Sequence, residues 1–249
     1  MKDYIPYGKH FIDQDDVNAV VDILKNHNLT QGNAVKRFED AVAEYVGAKY
    51  AVAMSSWTSG LHMACHAIGL NKTNSLITSP ITFVASSNAA FYCNSKPYFV
   101  DIDKDTINIC HKGIERQIKE SDGSIKAIIP VHYAGLPCKM EEISKISRQY
   151  DCFIIEDAAH ALGAKYEDGS MVGSCKYSDM TGFSFHPVKS IAAGEGGMIT
   201  TNSYKIYKRL LRIRSHGINK LDDKFLDTRQ AFTGELSNPW YYEMQELGY

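Results

Sequence analysis

Apolar residues return every three or four positions at Val17, Val20, Val21 and Leu24, directly after Asp13, and this spacing predicts a capped amphipathic helix ending near 26–28. Leu29-Thr30-Gln31-Gly32 interrupts the pattern as a loop. Val35, Phe38, Val42 and Tyr45 resume it, and Gly47 marks the stop of a second helix. From Tyr50 the texture changes. Short apolar runs at 50–54, 75–78, 97–100, 127–131 and 153–156 each lead into a loop and, in most cases, a helical pattern. Strands that alternate with helices need crossover connections, so the expectation is a three-layer α/β/α fold with a mostly parallel central sheet. The segment 167–173 is a turn by its Asp and Gly content. Beyond it, 181–185 and 197–201 read as further strands and 204–214 as a helix. After Gly217 the periodicity fades into Asn219-Lys220-Leu221-Asp222-Asp223-Lys224 and Asn238-Pro239-Trp240-Tyr241-Tyr242. Such a stretch seldom closes a domain by itself, and Gly248-Tyr249 has no later element to tie it down.

Composition narrows the class. The 249 residues are 44% hydrophobic and 22% charged, enough for one large core, and 27 basic against 29 acidic groups leave a net charge of -2. That balance offers no broad field for nucleic acid or an anionic membrane, so any phosphate must be gripped locally. The six cysteines are scattered without a CxxC pair, several within apolar runs, and read as buried free thiols. The start, Met1-Lys2-Asp3-Tyr4-Ile5, lacks a signal-like apolar region, and no stretch approaches the ~20 apolar residues of a membrane span, so the expected compartment is the cytoplasm.

Candidate chemistry sits at predicted strand ends. Ser55-Ser56-Trp57-Thr58-Ser59-Gly60 lies between a strand and a helix, where free backbone amides and hydroxyls make an anion cradle or, more plainly, a helix cap. Asp157 follows Phe153-Ile154-Ile155-Glu156 at the carboxyl end of a buried strand, the place where α/β sheets put ligands. Alternation alone does not decide whether Glu156 or Asp157 faces a ligand. Lys189 stands among Phe183, Phe185, Val188 and Ile191, where partial desolvation would favour the neutral, nucleophilic amine; taken alone, a snorkelling surface lysine is the commoner reading. Ser184 and His186 read as a capping hydroxyl and a packed imidazole. An acid at one strand end and a lysine some thirty positions later suggest a pyridoxal phosphate site, since an amine captures the aldehyde and a carboxylate holds the ring nitrogen protonated. Gly194-Glu195-Gly196-Gly197 precedes a strand and not a helix, so it is a tight turn and not a phosphate loop. Asp101, Asp103 and Asp105 lack the glycine and distal glutamate of a calcium loop and read as a solvated turn, leaving no metal site expected.

Together Leu29-Thr30-Gln31-Gly32, Thr78-Ser79-Pro80-Ile81-Thr82-Phe83, Glu156-Asp157-Ala158-Ala159-His160, Phe183 to Lys189 and Arg214-Ser215-His216-Gly217 resemble the DegT/DnrJ/EryC1/StrS nucleotide-sugar aminotransferases, within the fold type I pyridoxal phosphate enzymes. The resemblance runs over almost the whole chain. It implies that Lys189 is the Schiff-base lysine, Asp157 the partner of the pyridinium nitrogen, and Phe83 the ring stacked on the cofactor. It also implies that Thr58, Ser59 and Ser184 contact the phosphate, and that His160 touches the cofactor's hydroxyl region. The implied reaction moves an amino group from glutamate to a UDP-linked 4-keto-6-deoxy sugar. The likeness is greatest to the branch that makes UDP-4-amino-4,6-dideoxy-N-acetyl-β-L-altrosamine, a pseudaminic acid precursor. On the family pattern, 1–32 is an N-terminal helix with a substrate-side loop, 33–217 the cofactor-binding large domain, and 218–249 a segment leading toward a C-terminal small domain. In the family pattern a Gly-Tyr pair leads into an Asn-x-Arg motif and then that domain, whereas this sequence stops at Gly248-Tyr249. The family implies a homodimer, an expectation that loss of this domain weakens. The alternative is a catalytically silent remnant that only binds cofactor or partner subunits.

Overall fold

The carboxylate of Asp13 accepts the backbone N–H groups of Asp15 and Asp16 at 2.9 and 3.1 Å, and the Asp16 side chain accepts the N–H of Asp13 in return. This reciprocal box starts helix α1, Gln14–Asn26, as the sequence predicts. The computed structural model describes residues 8–219 and 224–249; the first seven residues of the expected 1–32 unit and 220–223 of the polar stretch lie outside them. The apolar stripe of α1 does not face a core. Val20 is 60% and Leu24 62% exposed, and no residue of the helix is buried. Helix α2, Asn33–Val46, ends where expected, at Gly47 in a left-handed conformation whose N–H closes onto Ala43 and Glu44.

Strand β1, Tyr50–Met54, begins the alternation. It is followed by α3 Trp57–Ala67, β2 Ser75–Thr78, α4 Ala85–Tyr92, β3 Lys96–Phe99, α5 His111–Glu120, β4 Ile125–Ile129, α6 Met140–Tyr150 and β5 Phe153–Asp157. Then come β6 Met180–Ser184, β7 Gly197–Thr201 and α7 Tyr204–Arg214. The seven strands form one sheet in the order β1-β7-β6-β5-β4-β2-β3, and every pairing is parallel except those of β7. Because β7 runs against β6, the connection between them needs no crossover helix, and it is this connection that carries Lys189.

Two cores cover the two faces. On one, Val42 and Val46 of α2, Ile114 of α5 and Ile143 of α6 meet Ile128, Ile154 and Phe183. On the other, Leu61 of α3, Ala89 of α4 and Leu210 of α7 meet Ile129, Ile155 and Ile199. Ile154 and Ile155 thus go to opposite sides, as strand alternation demands. Each fully buried Leu or Ile contributes about 1.5–3 kcal/mol, which makes this paired core the main source of stability. All six cysteines are free, and five are buried. The Asp103 carboxylate is spent on the turn it starts, accepting the N–H groups of Asp105 and Thr106 at 3.0 and 3.1 Å.

The described residues of the polar stretch after Gly217 are more ordered than the sequence predicts. Short strands β8 Ile218–Asn219 and β11 Glu243–Met244 pair antiparallel, and a one-turn helix α8, Thr228–Ala231, precedes the hairpin of β9 Phe232–Thr233 and β10 Leu236–Ser237. The last residue is also held, contrary to expectation: Tyr249 donates its N–H to the Ile213 carbonyl at 2.8 Å, accepts the His216 N–H at 2.7 Å and reaches His62 through its hydroxyl. Periodicity missed this because the ties run to the end of α7 and not along the strap itself. Among the described residues no helix is long and apolar enough to cross a membrane.

Candidate active site

The loops that follow β1, β2, β5 and β6 open at the same edge of the sheet, because these strands run parallel and all release their chains at the carboxyl end. The loop after β1 leads into α3, whose cap is Ser56: its hydroxyl accepts the Ser59 N–H at 3.1 Å, and the Gly60 N–H goes to the Ser56 carbonyl. The N–H groups of Trp57 and Thr58 at the helix tip have no intrahelical partner, and Thr58 is exposed. Ser59 returns its hydroxyl to the Ser56 carbonyl at 2.8 Å. Ser184 ends β6 opposite Gly197, and Gly197 also pairs with Met54 at the end of β1. A Cβ on Gly197 would lie 2.5 Å from the Ser56 carbonyl carbon and 2.6 Å from the Trp57 nitrogen, so only glycine lets β7 come this close to the helix tip. Thr58, Ser59 and Ser184 are thereby gathered around one end of the site.

Glu156 and Asp157 diverge, as adjacent strand residues must. Glu156 is fully buried and accepts from Tyr166 at 2.6 Å, Thr181 at 2.9 Å, Ser178 and His132 Nε2 at 2.8 Å. The Cys138 N–H points at Nδ1 of that histidine, so Nδ1 accepts and Nε2 carries the proton toward Glu156. Burial alone would push the Glu156 carboxyl up; its bonds from His132, Ser178 and Tyr166 outweigh that and hold it below the usual range. Asp157 faces the other way. Its Oδ1 accepts the indole N–H of Trp57 at 2.7 Å, and its Oδ2 accepts the Ser86 hydroxyl at 2.7 Å, which is linked in turn to Thr82 at 2.8 Å.

Lys189 lies in the β6–β7 connection, half-buried, where its N–H meets the His186 carbonyl. Its Nζ is 2.5 Å from Nε2 of His160, which is partly exposed. Burial lowers the lysine pKa and the charge of Asp157 opposes this; His160 is lowered by burial and then by the lysine. A neutral imidazole is therefore placed to accept from the amine. Phe83 follows Thr82 and is 73% exposed. The structure thus groups Asp157, Lys189 and His160, puts Thr58, Ser59 and Ser184 at the neighbouring helix tip, and among the described residues gives Phe83 no ring contact. Sequence reasoning missed Trp57, Thr82 and Ser86. The signal for Trp57 was an indole among small polar residues, since a buried N–H must find an acceptor.

A cleft of about 1280 Å³ opens beside this edge, lined by Gln31, Gly32, Arg214, His216, Trp240 and Tyr242 among others. It contains none of Asp157, His160 or Lys189 and meets the helix tip at Ser55, whose hydroxyl is 3.3 Å from that of Ser59.

A helix tip with free N–H groups, a buried carboxylate and a desolvated lysine fit the phosphate, ring nitrogen and aldehyde of pyridoxal phosphate, and the fold around them is that of the pyridoxal phosphate aminotransferases. The sequence matches the DegT/DnrJ/EryC1/StrS aminotransferase family model over residues 10–239, and the chain belongs to that family, whose cofactor is pyridoxal phosphate. It is 38% identical over 245 residues to a UDP-4-amino-4,6-dideoxy-N-acetyl-beta-L-altrosamine transaminase of Campylobacter jejuni, covering 98% of this chain and 60% of that relative. Helicobacter pylori PseC, an aminotransferase of pseudoaminic acid biosynthesis, superposes with a TM-score of 0.82 at 29% identity, covering 98% of this chain and 60% of that one. Spr1654 of Streptococcus pneumoniae in its PLP form gives 0.83 at 26% identity, covering 98% and 62%. The chain therefore spans about 60% of the length of the curated relatives it matches.

Proposed function

We propose that this chain carries the catalytic domain of a pyridoxal-phosphate-dependent nucleotide-sugar aminotransferase that takes its amino group from glutamate and places it on C4 of a UDP-linked 4-keto-6-deoxy sugar. The observation that carries this reading is the half-buried Lys189 amine, in hydrogen-bond contact with neutral His160 and within the field of Asp157. When bound, pyridoxal phosphate supplies an aldehyde carbon for an amine and a ring that withdraws electrons from it. Lys189 would hold that carbon and, once released by the incoming amine, take the proton from Cα of glutamate as general base and deliver it as general acid to the carbon it had held. His160 would aim the amine by accepting one of its hydrogens. Asp157 would hold the proton on the ring nitrogen, Phe83 would cover the ring, and Thr58, Ser59 and Ser184 would bind the phosphate with the helix tip.

The sugar-nucleotide acceptor most consistent with the Campylobacter jejuni relative is UDP-2-acetamido-2,6-dideoxy-β-L-arabino-hexos-4-ulose, used in making a bacterial surface sugar. The unit boundaries at 32 and 217, a homodimer and a cytoplasmic location are carried with the same reading. The test is to load the protein with pyridoxal phosphate, add glutamate, and then add UDP-4-keto sugars in turn. The expected result is a visible band that bleaches with glutamate, returns with one sugar, and yields that sugar with an amine in place of its keto oxygen. A band indifferent to glutamate, or no band, overturns the reading.

A further inference from the structure

We propose that Trp57 is a positioning residue for Asp157: its indole N–H fixes one carboxylate oxygen, and Ser86 fixes the other, so that the acid presents a single open acceptor site, on Oδ2, to the cofactor's ring nitrogen. This rests on the pyridoxal phosphate reading above and assigns a part in it to a residue that sequence spacing did not mark.

Trp57 is the first residue of α3, yet its side chain runs inward and is only 5% exposed. The slot it fills is cut from two glycines. A Cβ on Gly182 of β6 would sit 1.8 Å from the indole, and one on Gly60, a turn further along α3, would sit 2.7 Å from it. The same Cβ on Gly60 would lie 2.9 Å from Met54 Sδ. A ring gripped this way has one orientation, and its one polar atom can only donate. That atom meets Asp157 Oδ1 at 2.7 Å.

A carboxylate oxygen offers two acceptor sites. On Oδ1 both are taken, by the indole and by the Ala159 N–H at 3.3 Å. On Oδ2 the Ser86 hydroxyl takes one at 2.7 Å, and Thr82 bonds to that hydroxyl from behind. The carboxylate cannot turn without breaking bonds on both sides, so the remaining site keeps its direction before the cofactor arrives. Trp57 also joins the two ends of the site. Its backbone N–H belongs to the helix tip that would meet the phosphate, while its side chain holds the acid that would meet the ring, so a single residue sets their spacing.

The test replaces Trp57 with β-(3-benzothienyl)alanine, which keeps the shape of the indole but exchanges N–H for sulfur, alongside Trp57→Phe. Pyridoxal phosphate affinity and the pH dependence of the bound cofactor's visible absorption are read for each, with the thermal midpoint as a control on packing. Loss of one hydrogen bond to a charged group predicts an affinity about tenfold weaker for the isostere and a displaced pH titration. Trp57→Phe is expected to show the same changes together with a lower midpoint. An isostere that binds and titrates like wild type overturns the assignment, whatever its midpoint. Wild-type protein that takes up no cofactor would instead overturn the functional reading itself.

Discussion

Two neighbouring acids on β5 divide the work of the strand end between them. Glu156 is consumed by four side-chain donors inside one core, whereas Asp157 turns toward α3 and α4 and keeps an acceptor site open. Glu156→Gln should therefore lower the thermal midpoint, because an amide nitrogen would face buried donors at a cost of about 1–3 kcal/mol. Asp157→Asn should cost cofactor affinity far more than stability. Equal losses of affinity in both variants, read by pyridoxal phosphate titration beside thermal melts, would contradict this division. The sequence left the choice between these acids open because alternation gives only opposite faces, and which face carries the ligand depends on where α3 packs. The partial burial of Lys189 was legible from its apolar neighbours, and the consequence can be followed in pH. The neutral amine is the nucleophile, its fraction grows as pH rises, and burial lowers the lysine pKa. The rate of cofactor capture should then climb at lower pH than for a solvated lysine. A rise confined to the ordinary lysine range would count against the burial argument.

Elements were legible wherever a period ran for a full strand or helix, and most boundaries fall within a residue or two of those expected. The strap at 243–249 was not, because it has no period and is held from outside. Glu246 accepts from Arg209 at 3.0 Å and from Arg212 at 2.7 Å, both on α7, while Tyr249 bonds to the end of that helix. Burial pushes the Glu246 carboxyl up, but the two guanidinium groups outweigh it and hold it low. A depressed carboxyl stabilises the fold above its unfolded pKa, and that contribution is lost as pH falls through the folded value. Glu246→Ala should accordingly speed hydrogen exchange across 243–249 at neutral pH, and wild type should approach the variant in acid. Exchange that is the same in both proteins at neutral pH would show that the backbone ties suffice without the carboxylate.

At the scale of the molecule, one sheet with a core on each face brings four loops to one edge, and this much followed from the alternation of strands and helices. The reversal of β7 did not, because a short connection after a strand is equally compatible with a loop into a helix. Nor did the exposure of α1, whose stripe has the same period as a buried helix. The two kinds of apolar residue should respond differently to change. Leu210→Ala, in the core beneath α7, should cost about 2–5 kcal/mol, whereas Val20→Asp on α1 should stay within about 0.5 kcal/mol by urea unfolding of this chain. A large loss from Val20→Asp would mean that α1 is covered in solution. The central claim, that Lys189 is the residue that captures the cofactor, is tested most directly by loading the protein with pyridoxal phosphate, reducing with borohydride and mapping the peptides by mass spectrometry. A single adduct on the peptide bearing Lys189, absent from Lys189→Ala, is the predicted result; an adduct on another lysine, or none, would contradict it.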